Sequence, residues 1–394
     1  MSRCRRFAKK AYLKQKNQVL VITNYRPDQQ QSMLRFGDLL TSNKNSNKSL
    51  DIEESYPTPV FRKICHIGKL RKWAAYIDKY LLFPKKLEKE INSTKNPVSL
   101  IHIIDHSNAV YLPLLKRITG AKKIITCHDL IAIRTAKGDF PQAPKTSKSG
   151  RVLQNWISDS LNLTDYYACD SKQTLEDLNR LIPLSKEKSS VLHLGTEPNA
   201  TSASKKKDLS KILPFDPLTT NFLLHVGSAA WYKNRKAVFR SFIHAHTRLP
   251  DQNLKLVLVG PEPRKEELDD QLTHWVTSNP SGIHSLQNLP ENKLGELYKY
   301  AQALVFPSFI EGFGWPPLEA AVRGCPVITT RTGAIAHLLG NYANYVKADN
   351  QASIDQEVLQ ISQEVRSNQS TISLPSHEDC RRQYFNLYEQ LMAK

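Results

Sequence analysis

The 394 residues contain no apolar run near the roughly 20 that a membrane-spanning helix needs, so a chain that crosses a bilayer by helices is excluded. The basic opening MSRCRRFAKKAYLKQKNQ lacks the apolar core of a secretory signal. Cysteine is scarce and scattered, at 4, 65, 127, 169, 325 and 380, with no Cys-x-x-Cys pair. That spacing speaks against a disulfide framework or a zinc site and suits a reducing compartment, so a cytoplasmic location is expected. Glycine and proline, 15 and 22 residues, are too few for a collagen-like or low-complexity chain. The length implies two domains, or three.

Acidic residues are in short supply over one stretch only. Residues 1–150 hold 29 Lys and Arg against 11 Asp and Glu, which is +18. Residues 151–394 hold 26 against 26, which is zero, so the whole net charge of +18 lies in the first 150 residues. Such asymmetry points to an anionic partner of that half: lipid headgroups, nucleic acid or an anionic substrate.

Short β-branched runs alternate with amphipathic stretches. The strand candidates are 19–23, 99–104, 123–128, 166–169 and 190–194, then 222–227, 255–260, 303–307 and 326–330. Helical stretches such as 31–40, 172–182, 235–247, 292–302 and 316–323 separate them. This alternation predicts parallel sheets built from βαβ units, with several strands apolar throughout because both faces are covered. The polar, Ser- and Pro-containing stretch EPNATSASKKKDLSKILPFDPLTT reads as a linker, and a second α/β pattern begins at Phe222.

The strongest local signal is LVFPSFIEGFGWPPLEAAVRGCPVITT, residues 304–330: a strand, a glycine-containing loop, a helix and another strand. Pro316 and Pro317 suit a first helical turn, where a missing N–H costs nothing. Leu318, Ala321 and Val322 recur at i, i+3 and i+4 as a buried stripe, and Gly324 stands where a left-handed cap is expected. Gly312, Phe313 and Gly314 therefore form a loop at the C-terminal end of a parallel strand, where α/β folds bind ligands and free N–H groups favour phosphate. Glu311 and Glu319 bracket the unit with seven residues between them. Taken singly, each is equally an ordinary acid near a helix N-terminus.

As a whole, that string resembles the signature of retaining glycosyltransferases of family 4, the group 1 glycosyl transferases of GT-B fold. The resemblance implies an α/β architecture of two Rossmann-like domains, with parallel sheets facing each other across a cleft. It places residues 1–197 in an acceptor-binding domain, 198–220 in a linker and 221–375 in a nucleotide-sugar-binding domain. Residues 376–394 become a terminal helix that crosses back. It gives Glu311 to the transferred sugar and Glu319 to the nucleotide ribose, while Gly312, Phe313, Gly314 and Leu318 shape the donor loop. Trp315 stands where leucine is common.

FLLHVGSAAWYKNRKAVFRSF, residues 222–242, resembles the family's segment whose lysine grips the donor pyrophosphate. Lys233 and Asn234 match its Lys-Asn, Gly227 its glycine, and Arg235 is a substitute cation where Ser228 and Tyr232 replace arginines. A departing pyrophosphate needs positive charge. IITCHDL, residues 124–130, matches a Thr-x-His-Asp segment, so the resemblance makes His128 the histidine facing the donor sugar. His106 and Asn108 follow another strand and are acceptor candidates, with capping an equal alternative. The first loop, TNYRPDQQQ, lacks the family's paired glycines, so contacts there fall to side chains such as Arg26 or Gln30. Ser32 or Asp28 is expected near the start of the following helix, and Ser171 is expected to cap its own.

Between 61 and 83 the residues Phe61, Ile64, Ile67, Leu70, Trp73, Ile77 and Tyr80 stand at helical spacing among Arg62, Lys63, Lys69, Lys72 and Lys79. A basic amphipathic helix on an anionic membrane and a domain helix packing its stripe on a sheet both fit. Arg3, Arg5, Arg6, Lys9 and Lys10 favour the former; no nucleic-acid motif accompanies the charge.

The expected activity is a retaining transfer of sugar from a nucleotide-sugar to a hydroxyl of a glycan or lipid-linked glycan. Lys233 and a helix N-terminus would stabilise the leaving pyrophosphate. There is no Asp-x-Asp, so neither a metal nor any other cofactor is expected beyond the co-substrate. The alternatives are a sugar-nucleotide-binding scaffold without turnover, and an epimerase or phosphorylase of the same architecture. Peripheral contact with an anionic membrane is an expected partner interaction.

Overall fold

The computed structural model describes residues 17–42, 49–65, 68–94, 96–196, 209, 211–365 and 370–393. Its strands are β1 (Asn17–Ile22), β2 (Leu50–Ser55), β3 (Val98–Ile103), β4 (Lys122–Cys127), β5 (Tyr166–Cys169) and β6 (Ser189–Val191). Then follow β7 (Phe222–Val226), β8 (Lys255–Val259), β9 (Ile283–Leu286), β10 (Ala303–Phe306), β11 (Val327–Thr329) and β12 (Asn344–Tyr345). They form two six-stranded sheets, ordered β2-β1-β3-β4-β5-β6 and β12-β11-β10-β7-β8-β9. The registers are parallel, with Val19 opposite Ile52 and Leu224 opposite Val257. Each sheet is the βαβ product expected of strands that alternate with helices.

The inner strands are the legible ones. Val19, Val21, Leu100, Ile101, Ile124 and Ile125 are wholly buried. Three strands were not expected: β2, β9 and β12, all at sheet edges. An edge strand needs cover on fewer sides, so LDIEES carries three acids and alternates buried with exposed residues. At another edge β6 ends at Val191, three residues short of the expected run.

By packing, the chain divides into two compact units. One contains the residues up to Thr126, Asp159–Tyr166 and Leu387 onward; the other contains Cys127–Ser158 and Tyr167–Asn386. In the second, Phe239 and Phe242 of helix Arg235–Arg248 pack with Leu256, Leu258, Val305 and Ile328 of the sheet and with Ile354 and Val358 of helix Gln351–Gln363. Of the linker stretch, 197–208 and 210 lie outside the described residues, as do Arg3, Arg5, Arg6, Lys9, Lys10 and Ile67. Among the described residues no helix is long and apolar enough to cross a membrane, and no disulfide joins the five described cysteines.

In the first unit, the stretch expected as one amphipathic helix is broken. Helix Phe61–Ile64 is followed by helix Gly68–Ile77, a wide turn Asp78–Leu82 and helix Phe83–Ser93. Its packed face is not the apolar stripe. Ala74, Ala75 and Asp78 are buried, whereas Ile64 is 75% and Trp73 64% exposed, and Phe61, Leu70 and Leu81 are exposed too. The reason lies in Asp78. It accepts the Tyr25 hydroxyl at 2.7 Å and the backbone N–H groups of Phe61 and Arg62 at 2.9 and 3.1 Å. A carboxylate satisfied by three donors turns its own face inward, and small alanines are what that face accommodates. The reading in which this stripe packs on a sheet is thereby corrected.

Helix His377–Ala393 closes the chain. Within the first unit its Tyr388 hydroxyl meets His102 Nδ1 at 2.6 Å, while His102 Nε2 meets Thr126 Oγ1 at 2.8 Å. All three groups are buried. Tyr388→Phe removes one buried polar partner, and a stability loss of about 1–2 kcal/mol is expected. A shift of the urea midpoint at unchanged slope would register it; an unmoved midpoint would mean the ring nitrogen is satisfied without Tyr388.

Candidate active site

The second compact unit brings together Lys233, Glu311, Gly312 and His128. Lys233 ends a short helical turn, Trp231–Lys233, after β7. Its Nζ donates to both carboxylate oxygens of Glu311, at 2.9 and 3.0 Å. Glu311 is buried and Lys233 is partly so, with side chains 7% and 13% exposed, and the ammonium also stands 4.8 Å from the Phe306 ring centre. A buried pair of this kind is strong only while both partners remain. The Glu311 backbone N–H donates to Thr332 Oγ1 at 3.0 Å, which holds the loop between β10 and helix Trp315–Ala321 to the loop after β11.

Gly312 explains why the signature needs glycine. A Cβ added there would overlap the His128 carbonyl oxygen, so backbone meets backbone. That carbonyl also accepts the Thr174 hydroxyl at 3.2 Å. Gly314, at φ 87°, sits in the left-handed region just ahead of the helix, where Pro316 and Pro317 fill the first turn as expected. Phe313 is buried with its ring 6.4 Å from His193, and Leu318 is wholly buried.

His128 follows β4, and its Nδ1 lies 2.7 Å from Asp170 Oδ2. Asp170 follows β5 and is nearly inaccessible. Burial pushes its carboxyl up from the usual range, while the His128 ring pulls it back down. The pair fixes the imidazole's orientation and tautomer. The role of Asp170 was missed by sequence reasoning, although it directly precedes Ser171. Ser171 caps its helix as expected, accepting the Thr174 N–H at 3.1 Å.

Glu319 lies on the buried side of its helix and accepts the Tyr298 hydroxyl at 3.1 Å. Burial first, and Glu319 second, hold that phenol far above its ordinary pKa, so it stays a donor. Tyr298 and Asp170 have no local signature because each reaches the site from a distant segment.

Asn234 and Arg235 do not join the Lys233 cluster. Asn234, at φ 52°, donates its amide to the carbonyls of Pro307 and Ala348 at 3.1 and 2.9 Å and so ties loop ends together. Arg235 is almost completely buried and donates to the Pro261 carbonyl at 2.8 Å, with Glu267 3.3 Å from its Nε. Burial lowers its pKa, and Glu267 opposes that. Gly227 donates to Val259 O at 3.0 Å, and a Cβ there would meet the His225 ring at 3.4 Å and the Lys233 stem at 3.7 Å.

The acceptor candidates lie in the first unit. Asn108 donates to Asn24 Oδ1 at 2.9 Å, and Asn24 donates to Asp105 at 2.6 Å and Gln30 at 2.7 Å. Asp105 caps the turn through Ser107 N–H, and His106 Nδ1 is 3.4 Å from Asp105. Capping thus accounts for Asp105. Arg26 pairs with Glu54 at 3.3 Å and lies over the Tyr56 ring. The following helix, Gln31–Thr41, starts after Gln30 without a side-chain cap, and Ser32 lies in its first turn, near the start as expected.

Residues 208–372 match the model of the glycosyl transferases group 1. A D-inositol 3-phosphate glycosyltransferase of Corynebacterium glutamicum (strain R) is 24% identical over 226 residues, 56% of this chain and 53% of that protein. The O-antigen chain mannosyltransferase B of Escherichia coli is 24% identical over 333 residues, 82% of each chain. The chain thus spans about half of one curated relative and four-fifths of the other. The sucrose-phosphate synthase of Thermosynechococcus elongatus superposes with a TM-score of 0.68 at 15% identity, covering 96% of this chain and all of that one. The fold is GT-B.

Beneath the cluster, His225 of β7 is buried, with Nδ1 2.9 Å from the Val305 carbonyl. Burial depresses its pKa from 6.5 to about 3, against the pull of that hydrogen bond. It is therefore neutral when folded. As pH falls below about 6.5, the unfolded chain gains a proton that the folded chain refuses until about pH 3. Stability is present above that window and lost within it, by up to about 1.4 kcal/mol per pH unit. Urea midpoints of wild type and His225→Asn across this range should diverge, with the variant losing less on acidification. Parallel curves would show that His225 titrates normally.

Proposed function

Since residues 208–372 match the model of the glycosyl transferases group 1, we propose that this chain moves a sugar from a nucleotide-sugar to a hydroxyl of a glycan or lipid-linked glycan, with retention. One observation carries this reading: the Lys233 ammonium, bound to both oxygens of Glu311, stands at the head of the Gly312–Gly314 loop. An incoming pyrophosphate offers Lys233 a second anion, and the sugar it carries offers Glu311 hydroxyl donors. The backbone N–H groups of the Gly312–Gly314 loop, ahead of helix Trp315–Ala321, add to the positive field, whereas Pro316 and Pro317 have none. Lys233 then meets charge developing on the leaving group, which is where preorganised charge lowers a barrier. Glu319, oriented by Tyr298, takes the ribose hydroxyls. His128, held by Asp170, presents its ring to the transferred sugar.

Retention follows if the acceptor hydroxyl attacks from the face the nucleotide leaves, with a donor phosphate oxygen taking its proton. Mannosyl donors stand first, because the relatives include an O-antigen mannosyltransferase. A thermal-shift screen of nucleotide-activated mannose and glucose, followed by a hydrolysis assay, tests the reading; no shift and no hydrolysis with any donor would favour a scaffold.

The two carboxylates should fail differently. Glu319→Ala should weaken nucleoside diphosphate binding about tenfold or more, since hydrogen bonds to a charged group are worth about 1.5–3 kcal/mol. Glu311→Gln should leave that affinity near wild type and lower turnover. Titration calorimetry beside a turnover assay separates the effects, and equal affinity in wild type and Glu319→Ala sinks the ribose role.

Turnover is proposed to need no metal, because Lys233 and backbone N–H groups supply the charge. Activity should survive EDTA. Complete loss, restored by Mn²⁺ or Mg²⁺, would refute the assignment.

A further inference from the structure

The second compact unit holds a cavity of about 300 Å³ whose polar and aromatic lining is Asp129, Thr135, Thr146, Gln154, Trp231 and Tyr232. It adjoins the candidate site. Asp129 follows His128, Tyr232 precedes Lys233, and a Cβ added at Gly312 would come 3.0 Å from the Asp129 Cβ. Among the described residues that line it there is no lysine, arginine or histidine. Tyr232 stands where the family resemblance places an arginine, so this chain's own departure removes a cation from the wall. Arg134, on the helix of Thr135, is spent on Asp139 at 3.0 Å and Asp177 at 2.7 Å. Asp129, Thr135 and Thr146 come from the basic first 150 residues, yet the wall they build carries a carboxylate and no cation. A cavity of about 360 Å³ in the first unit is opposite in sign, with Arg62, Arg71, Lys72 and Lys79 against Asp28.

The polar groups of the wall are not fully used. Asp129 Oδ1 accepts the Ile131 N–H at 3.0 Å, which leaves its second oxygen to a ligand. Thr135 Oγ1 is buried without a hydrogen-bond partner, a cost that a ligand hydroxyl would remove. Gln154, on helix Lys148–Leu161, supplies an amide donor and acceptor. Trp231 is fixed by ring contacts to Phe140 at 5.1 Å, Tyr232 at 5.8 Å and Phe309 at 6.2 Å. Burial, then the Asp129 and Glu311 carboxylates, hold the Tyr232 phenol far above its usual pKa, so it stays a donor.

An aromatic face attracts the weakly positive C–H edge of a sugar ring, and a carboxylate and an amide bind its hydroxyls. The volume is at the low end of the roughly 300–1,000 Å³ of small-ligand sites and suits one ring. We propose that this cavity receives an uncharged pyranose of the acceptor glycan, with Trp231 against its carbons and Asp129 and Gln154 on its hydroxyls, and that it rejects a phosphorylated sugar. A phosphate there would face the Asp129 carboxylate with no cation to offset it. The proposal deepens the transferase reading by naming the acceptor class, and rests on it for the word acceptor.

Saturation-transfer NMR with titration calorimetry on the whole chain tests it. The probes are the methyl α-glycosides of mannose, glucose and galactose, an α-linked mannobiose, and the corresponding hexose phosphates. Wild type should bind at least one uncharged probe and bind its phosphate about tenfold more weakly or not at all, since like charge in a site rejects. Trp231→Ala should weaken the uncharged probe about fivefold or more, given what an aromatic contact contributes. That variant also alters the turn that carries Lys233, so Gln154→Ala, on a separate helix, is the deciding one; it should weaken binding about fivefold. Asp129→Asn should narrow the preference against the phosphates.

Hexose phosphates bound as tightly as the uncharged probes would overturn the proposal. So would binding that Gln154→Ala keeps and Glu311→Gln loses, because the sugar would then occupy the donor position. No binding of any uncharged probe overturns the whole. Nucleoside diphosphate affinity, measured on the same proteins, should match wild type in Gln154→Ala. If wild type binds the uncharged probes and no nucleotide, the transferase reading fails while the saccharide site stands.

Discussion

An ammonium group gripping both oxygens of a buried carboxylate holds the candidate site together. Lys233 and Glu311 are 78 residues apart, and each would be costly to bury alone. Paired, they hold the loop after β7 to the loop after β10. Thr332 extends the clamp to the loop after β11 by accepting the Glu311 N–H. Three parallel strands of one sheet, adjacent in the order β11-β10-β7, thus end in one hydrogen-bonded cluster. A ligand that draws Lys233 away from Glu311 must replace what it removes, and a pyrophosphate bearing a sugar has the charge and the hydroxyls to do so.

Around that pair the residues divide between chemistry and scaffolding. Asn234 adjoins Lys233 in sequence, yet its amide is spent on two backbone carbonyls. Arg235 is one residue further and faces Pro261 and Glu267. Lys233 ends the turn Trp231–Lys233, Asn234 turns the chain in the left-handed region at φ 52°, and Arg235 opens the helix, so three consecutive polar residues face three environments. The histidines divide likewise. His225 is buried and neutral beneath the cluster, whereas His128 is paired with a carboxylate.

The basic segment 61–83 shows the opposite relation between pattern and packing. Apolar spacing usually marks the buried face of a helix. Here Asp78, with donors from Tyr25, Phe61 and Arg62, claims the interior, and Trp73 and Leu70 are turned out. The charge asymmetry that first singled out this half therefore coincides with an exposed apolar surface and a cationic cavity. Neither follows from periodicity, because periodicity says that a helix has two faces and not which one the rest of the chain covers.

Sequence by itself was enough for the alternation of strands and helices, for the inner strands, and for the stretch from Glu311 to Gly324. Those features are local: a run of apolar β-branched residues suits a doubly covered strand wherever it lies, and two prolines suit a first helical turn. The edge strands β2, β9 and β12 were illegible because an edge needs no apolar run. Gly312 was legible as a glycine, but only the folded chain shows the His128 carbonyl against it. Asp170 behind His128, Tyr298 on Glu319 and Thr332 on the Glu311 N–H were likewise decided by tertiary structure. Each is an ordinary residue type tied to the candidate site by a partner 21 to 42 positions away, and a hydrogen bond across that separation leaves no periodicity to read.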